Sequence, residues 1–119
     1  MNYFHKANEH YNGKDYKRAI SFYQKAIDNK ENEACSYYNL AVCFIKLKEY
    51  EKAIDYIQSA LKIKRESKYF FNLAYCYAML NNCKKALIYF NTAWALNHDD
   101  SDCEKAINLI ISKHKKAAL

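Results

Sequence analysis

The stretch "YYNLAVCFIKLKEYEKAI", residues 37–54, returns thirty-three residues later as "FFNLAYCYAMLNNCKKAL", residues 70–87. Seven aligned pairs are identical: Asn39 and Asn72, Leu40 and Leu73, Ala41 and Ala74, Cys43 and Cys76, Leu47 and Leu80, Lys52 and Lys85, Ala53 and Ala86. A third copy, "YFHKANEHYNGKDYKRAI" at 3–20, aligns at an offset of 34 through Tyr3, Ala7, Tyr16, Ala19 and Ile20. A period of this size means one supersecondary unit built several times, each copy burying its apolar face against its neighbours.

Each copy carries two helical patterns. Tyr37, Leu40, Ala41 and Phe44 fall at i, i+3, i+4 and i+7, one face of a helix; Tyr50, Ala53, Ile54, Ile57 and Ala60 form a second face. The chain has one Gly and no Pro, too few turn residues for a sheet protein, so the fold class is all-α. Between the two helices only a tight turn fits. Gly13, Asn81 and Asn82 stand in these turns and tolerate left-handed backbone. Ala7, Ala41, Ala74, Ala19, Ala53 and Ala86 are the small residues that let the paired helices approach closely.

A 34-residue helix–turn–helix unit with this spacing of aromatic, Leu and Ala positions resembles the tetratricopeptide repeat. Tyr37, Leu40, Ala41, Phe44, Tyr50, Ala53, Ile57 and Ala60 carry the resemblance in the second copy. Phe70, Leu73, Ala74, Tyr77, Ala86, Phe90 and Ala93 carry it in the third. The first copy departs from the pattern, with Lys6 in the Leu column and His10 in an aromatic one, and the first helix has no preceding repeat to pack on. Glu31, Arg65 and His98 stand where the family often has proline, and Cys83 replaces the tyrosine of the third copy. The resemblance implies an α-solenoid of three repeats, at about 1–33, 34–66 and 67–99, within one domain spanning 1–119. The remainder, "DDSDCEKAINLIISKHKKAAL", is read as a seventh helix over about 101–116 that closes the stack. Its start is read as a capping box at Ser101 and Glu104. Its apolar stripe is Cys103, Ala106, Ile107 and Ile110.

No apolar run reaches the roughly 18 residues of a membrane span, and the first residues lack a signal-peptide pattern, so the expected compartment is the cytoplasm. The five cysteines include no C-x-x-C pair and read as reduced thiols, with Cys43 and Cys76 as small buried hydrophobes. No metal site, cofactor or catalytic constellation is expected: the histidines His5, His10, His98 and His114 sit in no motif, and one glycine cannot build a phosphate loop. The net charge of +6 is spread along the chain. Its densest clusters are Lys62, Lys64, Arg65 and Lys68, and Lys113, His114, Lys115 and Lys116.

The first helix of each copy has a second apolar stripe beside its packing face, more than a surface helix needs. Its members are Phe4 and Tyr11 flanking Asn8; Tyr38, Val42 and Ile45; and Phe71, Tyr75 and Met79. The resemblance places these columns, with Lys68, Asn39 and Asn72, on a concave groove that binds a peptide or protein partner. One subgroup of the family resembles a clamp for the C-terminal carboxylate of heat-shock chaperones. Asn8, Asn39 and Lys68 match its columns, but Phe4 and Asn72 replace two of its three cations, which weakens anion capture. The competing readings are a self-assembling scaffold that pairs two copies through Leu109 and Ile111, and nucleic-acid binding through the basic clusters.

Overall fold

The computed structural model of the chain describes residues 2–118, with side chains as far as Lys113. The helices are α1 (Tyr3–Asn12), α2 (Tyr16–Asp28), α3 (Glu33–Lys46), α4 (Tyr50–Ile63), α5 (Ser67–Met79), α6 (Cys83–Leu96) and α7 (Ser101–Ala118). No strand occurs among the described residues. Packing groups the helices into two compact units, with the chain boundary between Arg65 and Glu66. In the first, α1 packs on α2, α2 on α3 and α3 on α4. In the second, α5 packs on α6 and α6 on α7.

Small residues sit where helices touch. Ala7, Ala19, Ala26, Ala41, Ala53 and Ala60 of the first unit, and Ala74, Ala86 and Ala93 of the second, are completely buried. Larger side chains fill the space beside them: Leu40, Ile57 and Tyr23 in the first unit, Leu73 and Phe90 in the second. Cys43, Cys76 and Cys103 are buried too, and burial pushes each thiol up to about 12. A hydrogen bond from Cys103 Sγ to Asp100 Oδ2 at 3.4 Å, with the charges of Asp100 and Asp102, adds to the rise at Cys103.

Each helix pair is also joined by a run of three stacked rings. In the first, Phe22 lies between Tyr3 (centroids 6.4 Å apart) and His10 (5.2 Å). In the second, Tyr56 lies between Tyr37 (6.5 Å) and Phe44 (5.5 Å). In the third, Tyr89 lies between Phe70 (6.3 Å) and Tyr77 (5.7 Å). His10 therefore does the work of its aromatic column, its ring within 2° of parallel to Phe22. Lysines lie over these rings: Lys6 and Lys25 over Phe22, Lys52 over Phe44 and Lys85 over Tyr77, at 5.1–5.7 Å. The recurrence of Lys52 and Lys85 thus has a cation–π contact behind it.

The three intra-repeat turns are copies of one another. Asp15, Glu49 and Asn82 donate their N–H to the carbonyls of His10, Phe44 and Tyr77 at 2.8–2.9 Å. Lys14, Lys48 and Asn81 donate to Tyr11, Ile45 and Ala78 at 2.9–3.0 Å. This is a Schellman closure, which puts one residue in the left-handed region. That residue is Lys14 (φ 60°), Lys48 (φ 61°) or Asn81 (φ 62°). The sequence expectation needs correcting at Gly13 and Asn82. Gly13 has φ −81° and Asn82 φ −95°, so the left-handed position falls one residue after the glycine and one before Asn82. Asn82 and Asp15 instead cap the following helices, accepting from Lys85 N at 3.1 Å and Arg18 N at 3.2 Å.

A stability prediction follows from this placement. A Cβ at Gly13 would meet only the carbonyl oxygens of Glu9 and His10, both at 3.6 Å. Gly13→Ala should therefore stabilise by about 0.4–1 kcal/mol through the unfolded chain. Lys14→Gly should relieve left-handed strain, for a net gain of about 0.5–1 kcal/mol. Urea unfolding of the two single variants checks both signs.

The start of α7 corrects a second expectation. Asp100, not Ser101, is the capping residue: its Oδ1 accepts from Asp102 N at 2.9 Å and Cys103 N at 3.3 Å. A carboxylate placed at the positive end of a helix gains charge–dipole energy that a serine hydroxyl lacks. Beyond that start the expected stripe holds. Cys103 is buried, and Ala106, Ile107 and Ile110 pack on a cluster of Ala74, Ala86 and Phe90.

Candidate functional site

A cavity of about 340 Å³ opens in the first unit, lined by Asn8, Tyr11 and Asn12 of α1, Tyr23 of α2, and Tyr38, Asn39 and Val42 of α3. Helical spacing explains the set. Asn8, Tyr11 and Asn12 lie at i, i+3 and i+4, and Tyr38, Asn39 and Val42 at i, i+1 and i+4, so each group shares one helix side.

A polar network joins the three helices in this cavity. Asn8 Oδ1 accepts from the Tyr23 hydroxyl and, at 3.5 Å, from Asn39 Nδ2. Burial raises the Tyr23 phenol well above its ordinary range; the nearby Cys43 thiol and Tyr11 act in the same direction, while the Asn39 amide partly offsets them. Tyr23 therefore serves as a neutral hydroxyl. Asn8 Nδ2 and Asn39 Oδ1 make no hydrogen bond among the described residues. The cavity thus holds one spare amide donor and one spare amide acceptor, between two tyrosine rings and a valine, with no charged side chain in its lining.

Five of the expected groove residues meet here: Asn8, Tyr11, Tyr38, Asn39 and Val42. Phe4 and Ile45, also in the first unit, are half-buried and do not line the cavity. Phe4 leans on Tyr23 with ring centroids 6.1 Å apart, so much of its surface is spent on packing. Its backbone N–H donates to Glu31 Oε1 at 3.1 Å, which gives a task to the residue standing where the family often has proline.

The other five stand on α5 in the second unit. Phe71 packs edge-on against Phe90, with centroids 5.2 Å apart, and both it and Tyr75 cover the Ala74–Ala86–Phe90 cluster. Asn72 Nδ2 donates to the Lys68 carbonyl at 3.1 Å, within its own helix. Lys68 Nζ lies 3.8 Å from Glu66 Oε2. Met79 is exposed. Asn39 and Asn72 are thus one repeated column put to two uses.

Two cavity residues escaped the sequence reading. Tyr23 shares its column with Ile57 and Phe90 and reads as core; its one signal is a hydroxyl where the other copies are apolar. Asn12 sits at the last position of α1, where it reads as turn.

Of the alternative surfaces, Lys62, Lys64, Arg65 and Lys113 are exposed, and the side chains of His114, Lys115 and Lys116 lie outside the described residues. Leu109 and Ile111 are 70% and 39% exposed. No described helix is long and apolar enough to cross a membrane.

Comparison with known proteins agrees with this architecture. Two family models, both described as tetratricopeptide repeat, match residues 2–33 and 34–67. A TPR repeat-containing protein of Methanocaldococcus jannaschii, MJ1428, is 34% identical over 55 residues, covering 46% of this chain and 10% of the relative. The structure of YrrB, described as a TPR protein with an unusual peptide-binding site, superimposes with a TM-score of 0.84 at 25% identity, covering 94% of this chain and 58% of YrrB. The TPR domain of Arabidopsis OM64 gives a TM-score of 0.86 at 25% identity, covering 91% of this chain and 90% of that domain. The chain therefore spans a tenth of the archaeal relative and little more than half of YrrB. The fold is an all-α solenoid of helix–turn–helix repeats with a seventh helix, and the chain belongs to the tetratricopeptide repeat family.

Proposed function

We propose that the chain is a protein-interaction module that takes an extended segment of a partner polypeptide into the α1–α3 cavity. The observation that carries this reading is the network of Asn8, Asn39 and Tyr23, which leaves one amide donor and one acceptor without a protein partner. A peptide bond presents the complementary pair, and these two amide groups, which are not buried, can exchange water for it. Tyr11, Tyr38 and Val42 supply apolar walls for the flanking side chains. The lack of charge in the lining favours uncharged segments, because a charge placed there would lose hydration without compensation. The likeness to YrrB, whose description names a peptide-binding site, supports the same class of ligand.

The test starts with decapeptides selected from a random library for binding to the chain. Tyr38→Ala removes one wall and should weaken their binding about tenfold or more, as the loss of an aromatic anchor does at other interfaces. Circular dichroism confirms that the variant stays helical. Peptides that bind Tyr38→Ala and the parent chain equally well would place the partner elsewhere.

A further inference from the structure

A second cavity, of about 190 Å³, lies between α6 and α7, lined by Asn91 and Trp94 from one helix and Glu104, Ile107 and Asn108 from the other. We propose that it is a binding site for an arginine side chain carried by a partner segment. Trp94 is the only tryptophan in the chain and stays 38% exposed. It is not among the described side chains that cover the Ala74–Ala86–Phe90 cluster, a task done on the α7 side by Ala106, Ile107 and Ile110. Its ring meets that of His98, 5.5 Å away and nearly perpendicular, which limits the orientation of the indole.

Glu104 is the only charged side chain in the lining, and it has no ion-pair partner among the described residues. Asp99 and Asp102, both exposed, add negative charge at the same end of α7. This local field is opposite in sign to the net charge of +6 on the whole chain. A cation is the ligand that complements it.

Among biological cations the guanidinium matches the groups present. It is planar and stacks on an indole, and it carries five N–H donors and no acceptor. The Glu104 carboxylate takes two of those donors as a fork, and the amide oxygens of Asn91 and Asn108 are acceptors for the others. A lysine ammonium offers charge without the plane or the fork.

Trp94 fluorescence of the full chain provides the assay. The probe is the blocked pentapeptide acetyl-Gly-Gly-Arg-Gly-Gly-amide, compared with the same peptide carrying citrulline, which keeps the shape and loses the charge, or lysine. The arginine peptide should change the emission saturably. The citrulline peptide should bind about tenfold or more weakly, and the lysine peptide several-fold more weakly. Glu104→Gln, an exposed position with no capping role, should weaken the arginine peptide about tenfold while helicity is unchanged. Equal binding of the citrulline or lysine peptide, an unaltered titration in Glu104→Gln, or no saturable change up to the peptide's solubility limit would each overturn the proposal.

Discussion

In reducing buffer, stability should fall steeply as the pH rises from 9 to 10.5, and more steeply in the second unit than in the first. The cause is three thiols that fold into apolar surroundings. Cys43, Cys76 and Cys103 are fully buried, and each is pushed from 9.0 to about 12. Below pH 9 the folded and unfolded chains both hold these protons, and the thiols add no pH dependence. Between 9 and 12 the unfolded chain releases protons that the folded chain keeps, so stability drops with rising pH. Each thiol contributes a slope of about 1.4 kcal/mol per pH unit. Cys76 and Cys103 lie in the second unit and Cys43 in the first. The slope reaches that value only above pH 9, so the second unit loses about 3 kcal/mol over that interval, a large part of the roughly 5–15 kcal/mol that holds a typical domain together. The Tyr23 phenol, also raised, adds to the loss in the first unit above its ordinary 10.0. Urea midpoints measured against pH for the parent and for Cys76→Ala with Cys103→Ala provide the check. The double variant should lose most of the excess slope, whereas Cys35→Ala, at an exposed position, should not. An identical slope in parent and double variant would mean that other groups drive the alkaline loss.

The repeat was legible because stacking imposes it. Leu40 and Leu73, Ala41 and Ala74, and Ala53 and Ala86 recur at one spacing and are all buried. Cys43 and Cys76 were also readable as core, since a thiol shared between two copies at a packing column behaves as a small hydrophobe. What failed was local and depended on a single residue. Of the turn residues that tolerate left-handed backbone, Asn81 adopts it, but in the first turn the hydrogen bonds place it at Lys14 rather than Gly13. Ser101 matched a capping spacing, yet the carboxylate one residue earlier takes the helix end. At α7 two neighbouring residues had suitable chemistry and backbone geometry chose between them; in the first turn geometry put Lys14, which left-handed backbone strains, where glycine would fit.

The candidate site was legible by side of helix but not by depth. The second stripe on α1 and α3 holds more apolar residues than one packing face requires, and its Tyr11, Tyr38 and Val42 line a cavity together with Asn8 and Asn39. Periodicity could not show that Phe4 and Phe71 lean on Tyr23 and Phe90 of the partner helices. Nor could it show that Tyr23, in a core column, turns its hydroxyl to Asn8. Side-chain contacts between helices separate two residues of one stripe into packing and lining, and they are set by the approach of the helices rather than by the spacing along either one.

The stacked rings carry the last prediction. Tyr56 joins α3 to α4 as the middle ring of three, between Tyr37 and Phe44. The apolar columns of α4 are Ala53, Ile54, Ile57 and Ala60, so Tyr56 stands beside the core and is half-buried. Its removal takes away one ring but two ring contacts. Tyr56→Ala should destabilise the first unit by about 2–3 kcal/mol, less than the loss for a fully buried aromatic because part of this ring already faces water. Tyr56→Phe keeps the ring and both stacks, and should shift stability by less than about 0.5 kcal/mol. Urea unfolding of the two variants, followed by far-ultraviolet circular dichroism, separates the ring from its hydroxyl. Equal losses would mean that the hydroxyl is what matters. A negligible loss in Tyr56→Ala would mean that the repeated ring column follows from helix spacing without holding the helices together.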